Sequence, residues 1–244
     1  MGYAVTRSGR SAFVRYLIVN GDDFGASRGI NQGIIEAHRS GILTSTSLMV
    51  NMPASEEAAA FGRDLPHLSI GLHVTLTTEE GKPLIDFANP NLCRTELRRQ
   101  FERFQELMGQ LPTHLDSHHN IHRDPCLLPH FRELARRYGL PLREHSPVRY
   151  FSKFYGQWDG EMHLEQISVE NLGHMLATEI QEGITELSCH PGYVDPDFQS
   201  VYSVEREAEL RTLCDLTICN VLAEQQIQLV SFRDVSTILG DLLT

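Results

Sequence analysis

Short apolar segments alternate with segments of helical period along nearly the whole chain. The apolar run at residues 16–19 predicts a short buried strand over residues 17–20. Residues 29–40 carry isoleucines on one face and are followed by Gly41, which predicts a helix and its end. Residues 42–50 are rich in β-branched side chains and predict a second strand. Such alternation requires a mostly parallel sheet with helices packed on it, either open or closed into a barrel.

The same pattern continues toward the C-terminus and gives about seven β/α units, the number expected of a small barrel. Residues 146–168 have no clear period, and residues 77–91 are expected to form a loop. We predict further strands at residues 68–76, 113–117, 141–144, 184–189 and 227–232, and further helices at residues 53–61, 96–108, 126–138, 169–182, 204–225 and 235–243.

The domain organisation follows from the absence of any linker rich in Gly, Ser or Pro within this pattern. We therefore expect an α/β fold with one domain over residues 16–244. Arg7, Arg10 and Arg15 precede the first strand, and the apolar run after them is too short for the core of a signal peptide. Residues 1–15 are accordingly predicted to be a flexible leader.

The charge balance restricts the partners that the sequence suits. The chain has 21 lysines and arginines against 32 aspartates and glutamates, which gives a net charge of −11 with the histidines neutral. An acidic surface repels phosphate groups, so we expect a small neutral substrate rather than nucleic acid or a membrane. No apolar run has the length of a transmembrane helix. The five cysteines form no C-x-x-C pair, which is typical of a reducing compartment and predicts a cytoplasmic protein.

Polar clusters lie at or just after four of the predicted strands. They are Asp22-Asp23, His73, the run Asp-Ser-His-His-Asn-Ile-His at residues 116–122, and His190. Because the carboxyl ends of parallel strands meet at one rim, the predicted fold brings these distant clusters together. We expect the functional site at this rim.

The residue types in these clusters suit a divalent metal ion. One carboxylate and two neutral imidazoles can hold such an ion and leave positions open for water or substrate. A second carboxylate beside them could take a proton from the bound water. Since His114, Asp116 and His118 share one face of a strand, His118 is better placed than His119 if Asp116 points inward.

Each cluster also has a purely structural explanation. An Asp-Asp pair after a strand can form a turn or cap a helix, and a lone strand histidine such as His73 can be a hydrogen-bonded core residue. His190 could be an ordinary loop residue. The placement of all four clusters at one rim favours a site over these separate explanations.

An aromatic cluster falls in the segment without a clear period. Its rings would suit a sugar-binding cleft, a core patch or a contact between subunits. Exposed rings on an otherwise acidic surface favour association, and we predict a homodimer. The cluster consists of Tyr150, Phe151, Phe154, Tyr155 and Trp158.

Several motifs, taken together and in this order, resemble the YdjC-like carbohydrate deacetylases over nearly the whole chain. The resemblance is carried by Leu-Ile-Val-Asn-Gly-Asp-Asp-Phe-Gly at residues 17–25, Gly-Leu-His at 71–73, Thr-His-Leu-Asp-Ser-His-His at 113–119, Cys-His-Pro-Gly-Tyr at 189–193 and Leu-Val-Ser-Phe-Arg-Asp-Val at 229–235.

This resemblance implies a deformed (β/α) barrel related to the polysaccharide-deacetylase fold. It implies a metal-dependent hydrolase that removes the acetyl group of an N-acetylated amino sugar or short oligosaccharide. Asp23, His73 and His118 would be the metal ligands, Asp22 the general base and His190 the general acid. The implied ion is Mg²⁺, and Zn²⁺ suits the same ligands on grounds of softness.

Four other residues are candidate supporting groups: Asp116, His122, Arg143 and Tyr193. Arg143 would orient Asp22, and a backbone N–H near Tyr193 would stabilise the oxyanion of the intermediate. An unperturbed histidine already has a pKa that suits a proton donor near neutral pH, and we expect this of His190.

Two positions depart from the family's pattern. Gly21 stands where Ala is common, which is a small change, and Asn120 stands where a third consecutive histidine is common. Neither departure removes a predicted ligand.

Three other functions remain open at this stage. Gly25-Ala-Ser-Arg-Gly29 matches the G-x-S-x-G pattern of serine hydrolases, although Ser27 lies too far from the strand and is better explained as a helix N-cap. Two histidines and one carboxylate also occur in iron oxygenases. The third alternative is a non-catalytic sugar-binding protein on the same fold.

Overall fold

The structure, a computed structural model, describes residues 14–196 and 198–242. Its strands are β1 (Arg15–Phe24), β2 (Ser45–Leu48), β3 (Ser69–Val74), β4 (Leu115–Ser117), β5 (Arg149–Phe151), β6 (Gln157–Trp158), β7 (Glu161–Met162), β8 (Gly183–Cys189) and β9 (Ile227–Leu229). Its α-helices are α1 (Arg28–Ser40), α2 (Ser55–Arg63), α3 (Pro90–Met108), α4 (Leu128–Tyr138), α5 (Val169–Thr178), α6 (Val204–Leu213), α7 (Leu216–Glu224) and α8 (Val235–Leu242). Three 3₁₀ turns lie at His118–Arg123, Leu164–Ile167 and Phe232–Asp234.

The main sheet is parallel and is built around β1. Its strand order is β4-β3-β2-β1-β8-β5, and β9 pairs with the beginning of β1. β1 pairs with β8 along residues 15–21, and with β2 only from Asn20 onward. The sheet is extended beyond β4 by one isolated parallel bridge between Leu115 and Leu142. This is the expected deformed barrel, and the predicted strand at residues 141–144 is reduced to that single bridge.

The interior of the barrel is apolar at one end and polar at the other. Alternate residues of a strand point to one face, so Ile18 and Asp22 of β1 both point inward, as do Ile184 and Glu186 of β8. Ile18 and Ile184 pack with Phe232 in a small buried cluster at the amino ends of the strands. The polar side chains therefore lie toward the carboxyl ends of the strands, and the apolar cluster fills the barrel below them.

Two predicted helices have different bounds in the structure. The third helix begins at Pro90 rather than at residue 96, because the Asn89 side chain accepts hydrogen bonds from two backbone N–H groups of the first turn. The long helix predicted at residues 204–225 is two helices, α6 and α7. They are separated because Asp215 caps α7 by accepting a hydrogen bond from the N–H of Thr217.

The aromatic cluster is divided between the core, the rim and the surface. Phe151 and Phe154 are buried in the main core. Tyr155 is 36% exposed and Trp158 is 44% exposed. Trp158 lies in the β6–β7 hairpin, where its ring stacks on His163 with 3.5 Å between centroids.

Residues 1–13 of the predicted leader lie outside the described residues, and Arg15 is the first residue of β1. Within the described part of the chain, no helix combines the length and the apolar character needed to cross a membrane.

Helix α1 packs closely on the loop that follows β8, and Gly33 is the point of contact. A Cβ added to Gly33 would lie 2.4 Å from the Cα of Gly192. Backbone cannot yield as a flexible side chain can, so we expect Gly33→Ala to destabilise the protein by about 1–3 kcal/mol. Urea unfolding measures the change.

Gly173→Ala in α5 is the matched control. Its added Cβ would meet only Val221 Cγ2 at 3.6 Å, an ordinary contact. This variant should gain about 0.5–1 kcal/mol, because alanine loses less backbone entropy than glycine in a helix. Equal stability of the two variants would contradict the close approach of α1 to this loop.

Candidate functional site

All four polar clusters meet around one cavity at the carboxyl ends of the strands. The cavity has a volume of about 240 Å³ and is lined by residues that include Asp22, Asp23, His73, His118 and His190. They lie in the last residues of β1 and β3 and directly after β4 and β8, as the parallel topology predicts.

Asp23 lies where β1 departs from regular pairing with β2. The register shifts between Gly21 and Phe24, and Asp23 has a positive φ of 68°. This irregularity turns its carboxylate toward two histidines: Oδ1 lies 3.1 Å from His118 Nδ1 and 3.4 Å from His73 Nε2. Burial would raise the pKa of Asp23, but Arg206 and the two imidazoles hold it well below its usual range.

His73 is fixed by a carboxylate behind it. Its Nδ1 lies 2.8 Å from Oδ1 of Asp116, whose Oδ2 accepts a hydrogen bond from Ser47. This contact directs Nε2 of His73 toward Asp23. Burial lowers the pKa of His73, but Asp116 and Asp22 outweigh it and raise the value to about 10.

His118, and not His119, joins this group. β4 ends at Ser117, and the chain then turns through positive φ values of 55° at His119 and 51° at Asn120. His119 is directed to the Thr77 hydroxyl, 3.0 Å from its Nδ1. Burial lowers the pKa of His118, but hydrogen bonding to Asp23 and Glu79 raises it to about 9. Asn120 suits its position, because asparagine tolerates the left-handed conformation better than most residues.

Asp23, His73 and His118 fit a divalent metal ion. One ligand atom from each lies within 4.8 Å of the others, and all three residues are buried. One carboxylate and two imidazoles are a common ligand set for such ions. A second grouping of Asp22, His73 and Asp116 is equally compact, but both oxygens of Asp22 already accept hydrogen bonds from Arg143. The first grouping is therefore the better metal site.

Asp22 is held by a buried guanidinium. Arg143 donates to both oxygens of Asp22 at 2.8 Å and also to Glu186. Burial lowers the pKa of Arg143, but Asp116, Asp22 and Glu186 raise it well above its usual value. Burial raises the pKa of Glu186 to about 7 although Arg143 opposes the rise. The predicted contact of Arg143 with Asp22 is thus present.

His190 faces Asp22 across a gap. Its Nε2 lies 3.9 Å from Oδ2 of Asp22, and its side chain is 21% exposed. Burial lowers the pKa of His190 to about 4 despite the opposing effects of Asp23 and Asp22. The expectation of a near-neutral pKa for His190 is therefore wrong, because the ring is buried more deeply than an ordinary loop histidine.

Glu209 is a buried carboxylate behind His190. It accepts hydrogen bonds from the backbone N–H of His190 and from the hydroxyl of Tyr202. Burial raises the pKa of Glu209 to about 8, although these hydrogen bonds lower it. Tyr155 stacks on Tyr202 with 4.6 Å between centroids, and both rings lie edge-on to His190 at 5.5 Å.

Besides Asp116 and Arg143, three more residues singled out in the sequence do not line this cavity. His122 is buried behind it, with Nδ1 2.7 Å from the Ser117 hydroxyl, and acts as a support. The backbone N–H of Tyr193 donates to Gly29 and its hydroxyl donates to Glu36, so the structure does not place an oxyanion donor there. Ser27 caps α1 by accepting the N–H of Ile30, which is the structural explanation given above.

The sequence did not indicate that Arg206 and Glu209 of α6 belong to the site. That helix carries charged residues all round in the sequence, and this pattern is typical of an exposed helix. Both residues are buried against the site. Their spacing of three residues, which places them on one helix face, was the only signal.

Comparison with known proteins identifies close relatives. The model of a family described as YdjC-like protein matches residues 16–224. A carbohydrate deacetylase of Geobacillus stearothermophilus is 39% identical over 90% of this chain and 98% of its own length. A chitooligosaccharide deacetylase of Serratia marcescens is 37% identical over 91% of this chain and 99% of its own length.

Solved structures agree on the fold. A crystal structure of a protein from Enterococcus faecalis has a TM-score of 0.77 and 29% identity, and covers 91% of this chain and 99% of its own. A family 4 carbohydrate esterase from Streptomyces lividans has a TM-score of 0.57 and 12% identity over 90% of this chain and 94% of its own. The latter likeness shows the fold alone.

We expect a divalent ion to displace protons when it binds at Asp23, His73 and His118. In the metal-free protein the pKa of His73 is about 10 and that of His118 about 9, so both rings are protonated at neutral pH. A ligand nitrogen must lose its proton, so affinity should rise with pH between roughly pH 6 and 9. Calorimetric titration in buffers of different ionisation enthalpy counts the protons released.

His174→Ala is the control, since this ring is exposed on α5 and does not line the cavity. It should bind the ion with the same pH dependence as the wild-type protein. Binding that is independent of pH in the wild-type protein would contradict the ligand set.

Proposed function

The chain belongs to the YdjC-like protein family, and we propose that it is a metal-dependent carbohydrate deacetylase whose active site is this cavity. As such it is a hydrolase of an amide C–N bond, which removes the acetyl group of an N-acetylated amino sugar or short oligosaccharide. The observation that carries the proposal is the convergence of Asp23, His73 and His118 with Asp22 and His190 at one cavity.

Asp23, His73 and His118 would hold the ion. A bound divalent ion supplies Lewis acidity: it polarises the acetyl carbonyl and lowers the pKa of a bound water. Asp116 contributes by fixing the ring of His73, as carboxylates behind metal-ligating histidines do.

Asp22 is the general base of the proposed mechanism. Arg143 donates to both of its oxygens and thereby fixes the direction in which the remaining lone pairs point. Asp22 accepts a proton as water attacks the acetyl carbon. Arg143 acts through Asp22 and is a positioning residue.

His190 delivers a proton to the departing amine. At neutral pH its ring is uncharged, because burial lowers its pKa to about 4. Asp22 can supply this proton after it has taken one from water, since Asp22 Oδ2 lies 3.9 Å from His190 Nε2. We therefore assign His190 the transfer of this proton from Asp22 to the leaving nitrogen.

The sugar ring lies beside His190 in this proposal, because its amine is the leaving group. Tyr155 borders the cavity there and is partly exposed, so the face that does not stack on Tyr202 could pack against the apolar face of a pyranose. Tyr202 supports it from behind.

The alternative functions have less support. Ser27 is a helix cap, and within the described residues its side chain makes no hydrogen bond to a histidine. The curated relatives are deacetylases, which favours neither an iron oxygenase nor a non-catalytic sugar-binding protein.

Three finer assignments stay predictions. We propose Mg²⁺ as the native ion, with Zn²⁺ as the alternative that the imidazole ligands would suit. A homodimer would use the exposed hairpin around Trp158. A cytoplasmic location is consistent with five free cysteines.

Acetate release from N-acetylated sugars tests the function and the role of Asp22 together. We expect the wild-type protein to release acetate and a chelator to abolish the activity. Asp22→Asn should still bind the ion but turn over about a hundredfold more slowly or worse, because it cannot accept the proton.

Asp23→Asn is the matched comparison, because it changes the neighbouring carboxylate in the same way. It should lose ion binding and activity together, since it removes a charged ligand. Loss of the ion in Asp22→Asn would mean that the two aspartates share or exchange roles.

His190→Ala separates proton delivery from binding. It should slow hydrolysis of the amide by about a hundredfold or more, because the amine needs a proton to leave. It should spare an activated acetate ester, whose leaving group needs none. The two rates are measured on the same preparation with saturating metal, and equal losses on amide and ester would contradict the assigned proton transfer.

A further inference from the structure

Glu79 is a carboxylate at the boundary between two cavities. It lines the active-site cavity and also a neighbouring cavity of about 520 Å³. Its Oε1 lies 3.4 Å from His118 Nε2, and its side chain is 22% exposed. The ring of His118 separates it from Asp23, which faces the other nitrogen. Glu79 therefore lies on the side of His118 away from Asp23, where the two cavities meet.

Glu79 differs from the other carboxylates that line the active-site cavity. Asp22 is paired with Arg143 and Asp23 with Arg206. Within the described residues, Glu79 has no lysine or arginine at ion-pair distance, and its one such contact is His118. Its only such partner among the described residues is a histidine that must give up a proton to bind a metal ion, so in the metal-bound protein the charge of Glu79 acts on whatever occupies the cavity.

The arginines that line the two cavities already make hydrogen bonds to carboxylates or backbone carbonyls. Arg206 donates to Asp23 and to two backbone carbonyls. Arg99, which lines the second cavity, donates a bidentate pair of hydrogen bonds to Glu96. Among the described residues that line the two cavities, no guanidinium or ammonium is left for an anionic group of a substrate.

The second cavity suits an uncharged sugar. Apolar side chains of Met52, Leu76, Leu84 and Ile85 line it together with the neutral polar groups of Asn51 and three threonines. A pyranose offers the same combination of apolar faces and hydroxyl groups. A phosphate or carboxylate there would lose water, find no partner and lie near Glu79.

We propose that Glu79 is a specificity-determining residue that admits uncharged amino sugars and disfavours sugars carrying a phosphate or carboxylate. The inference rests on the proposed deacetylase function. A bound ion would act on the acetyl group, whereas Glu79, which borders both cavities, would act on the part of the sugar beside it.

Acetate release from N-acetylglucosamine and from N-acetylglucosamine 6-phosphate tests this inference. The quantity measured is the ratio of kcat/KM for the neutral sugar to that for the phosphorylated one. We expect the wild-type ratio to exceed about ten and Glu79→Gln to reduce it about tenfold, because one like charge is removed. A general loss of activity through His118 cancels in this ratio.

Glu80→Gln is the matched control. It removes the same charge from the next residue, whose side chain is exposed, accepts a hydrogen bond from Thr78 and lines neither cavity. We expect it to keep the wild-type ratio. Added salt should lower the ratio in the wild-type protein more than in Glu79→Gln, since salt screens the repulsion.

The outcomes distinguish this inference from the function on which it rests. If the wild-type protein releases no acetate from either sugar or from other N-acetylated sugars, the proposed function fails. If it does so and Glu79→Gln leaves the ratio unchanged, or Glu80→Gln changes it equally, the role of Glu79 is overturned and the deacetylase function stands.

Discussion

The buried guanidinium of Arg143 is the interaction on which the site depends. It contacts Asp22 at 2.8 Å, Asp116 at 2.9 Å and Glu186 at 2.6 Å. These carboxylates belong to β1, β4 and β8, so one side chain connects three strands across the barrel interior. Removing one member of such a cluster leaves buried charges without partners, at a cost of about 3–5 kcal/mol. The same contacts fix the base and, through Asp116, the direction of His73.

Two arginines give adjacent aspartates different chemistry. Arg143 occupies both oxygens of Asp22, whereas Arg206 occupies only Oδ2 of Asp23 and leaves Oδ1 to the two histidines. The irregular backbone at Asp23 turns the second carboxylate away from the first. A ligand and a base can therefore be consecutive in sequence without competing for one position.

The sequence predicted the architecture and the meeting of the polar clusters better than it predicted the residues that surround them. Alternating periods predicted the parallel sheet, and that topology alone placed Asp23, His73 and His190 at one rim. The contributions of Arg206 and Glu209 were not predictable in this way, because they come from a helix that no local pattern assigns to the site. The low pKa of His190 could not be predicted either, since burial by Tyr155 and Tyr202 depends on packing between distant segments.

The site also contains more buried acidic side chains than buried arginines. Asp22, Asp23, Asp116, Glu186 and Glu209 would carry five negative charges if all were ionised, against two positive charges from Arg143 and Arg206, a net of −3. In the metal-free protein the imbalance is reduced by protons. Burial raises the pKa of Glu186 to about 7 and that of Glu209 to about 8, and the carboxylates keep His73 and His118 protonated. A divalent cation at the two histidines would take the place of the protons that they release. The charge excess that makes this interior costly to bury is therefore also what makes it a site for a cation.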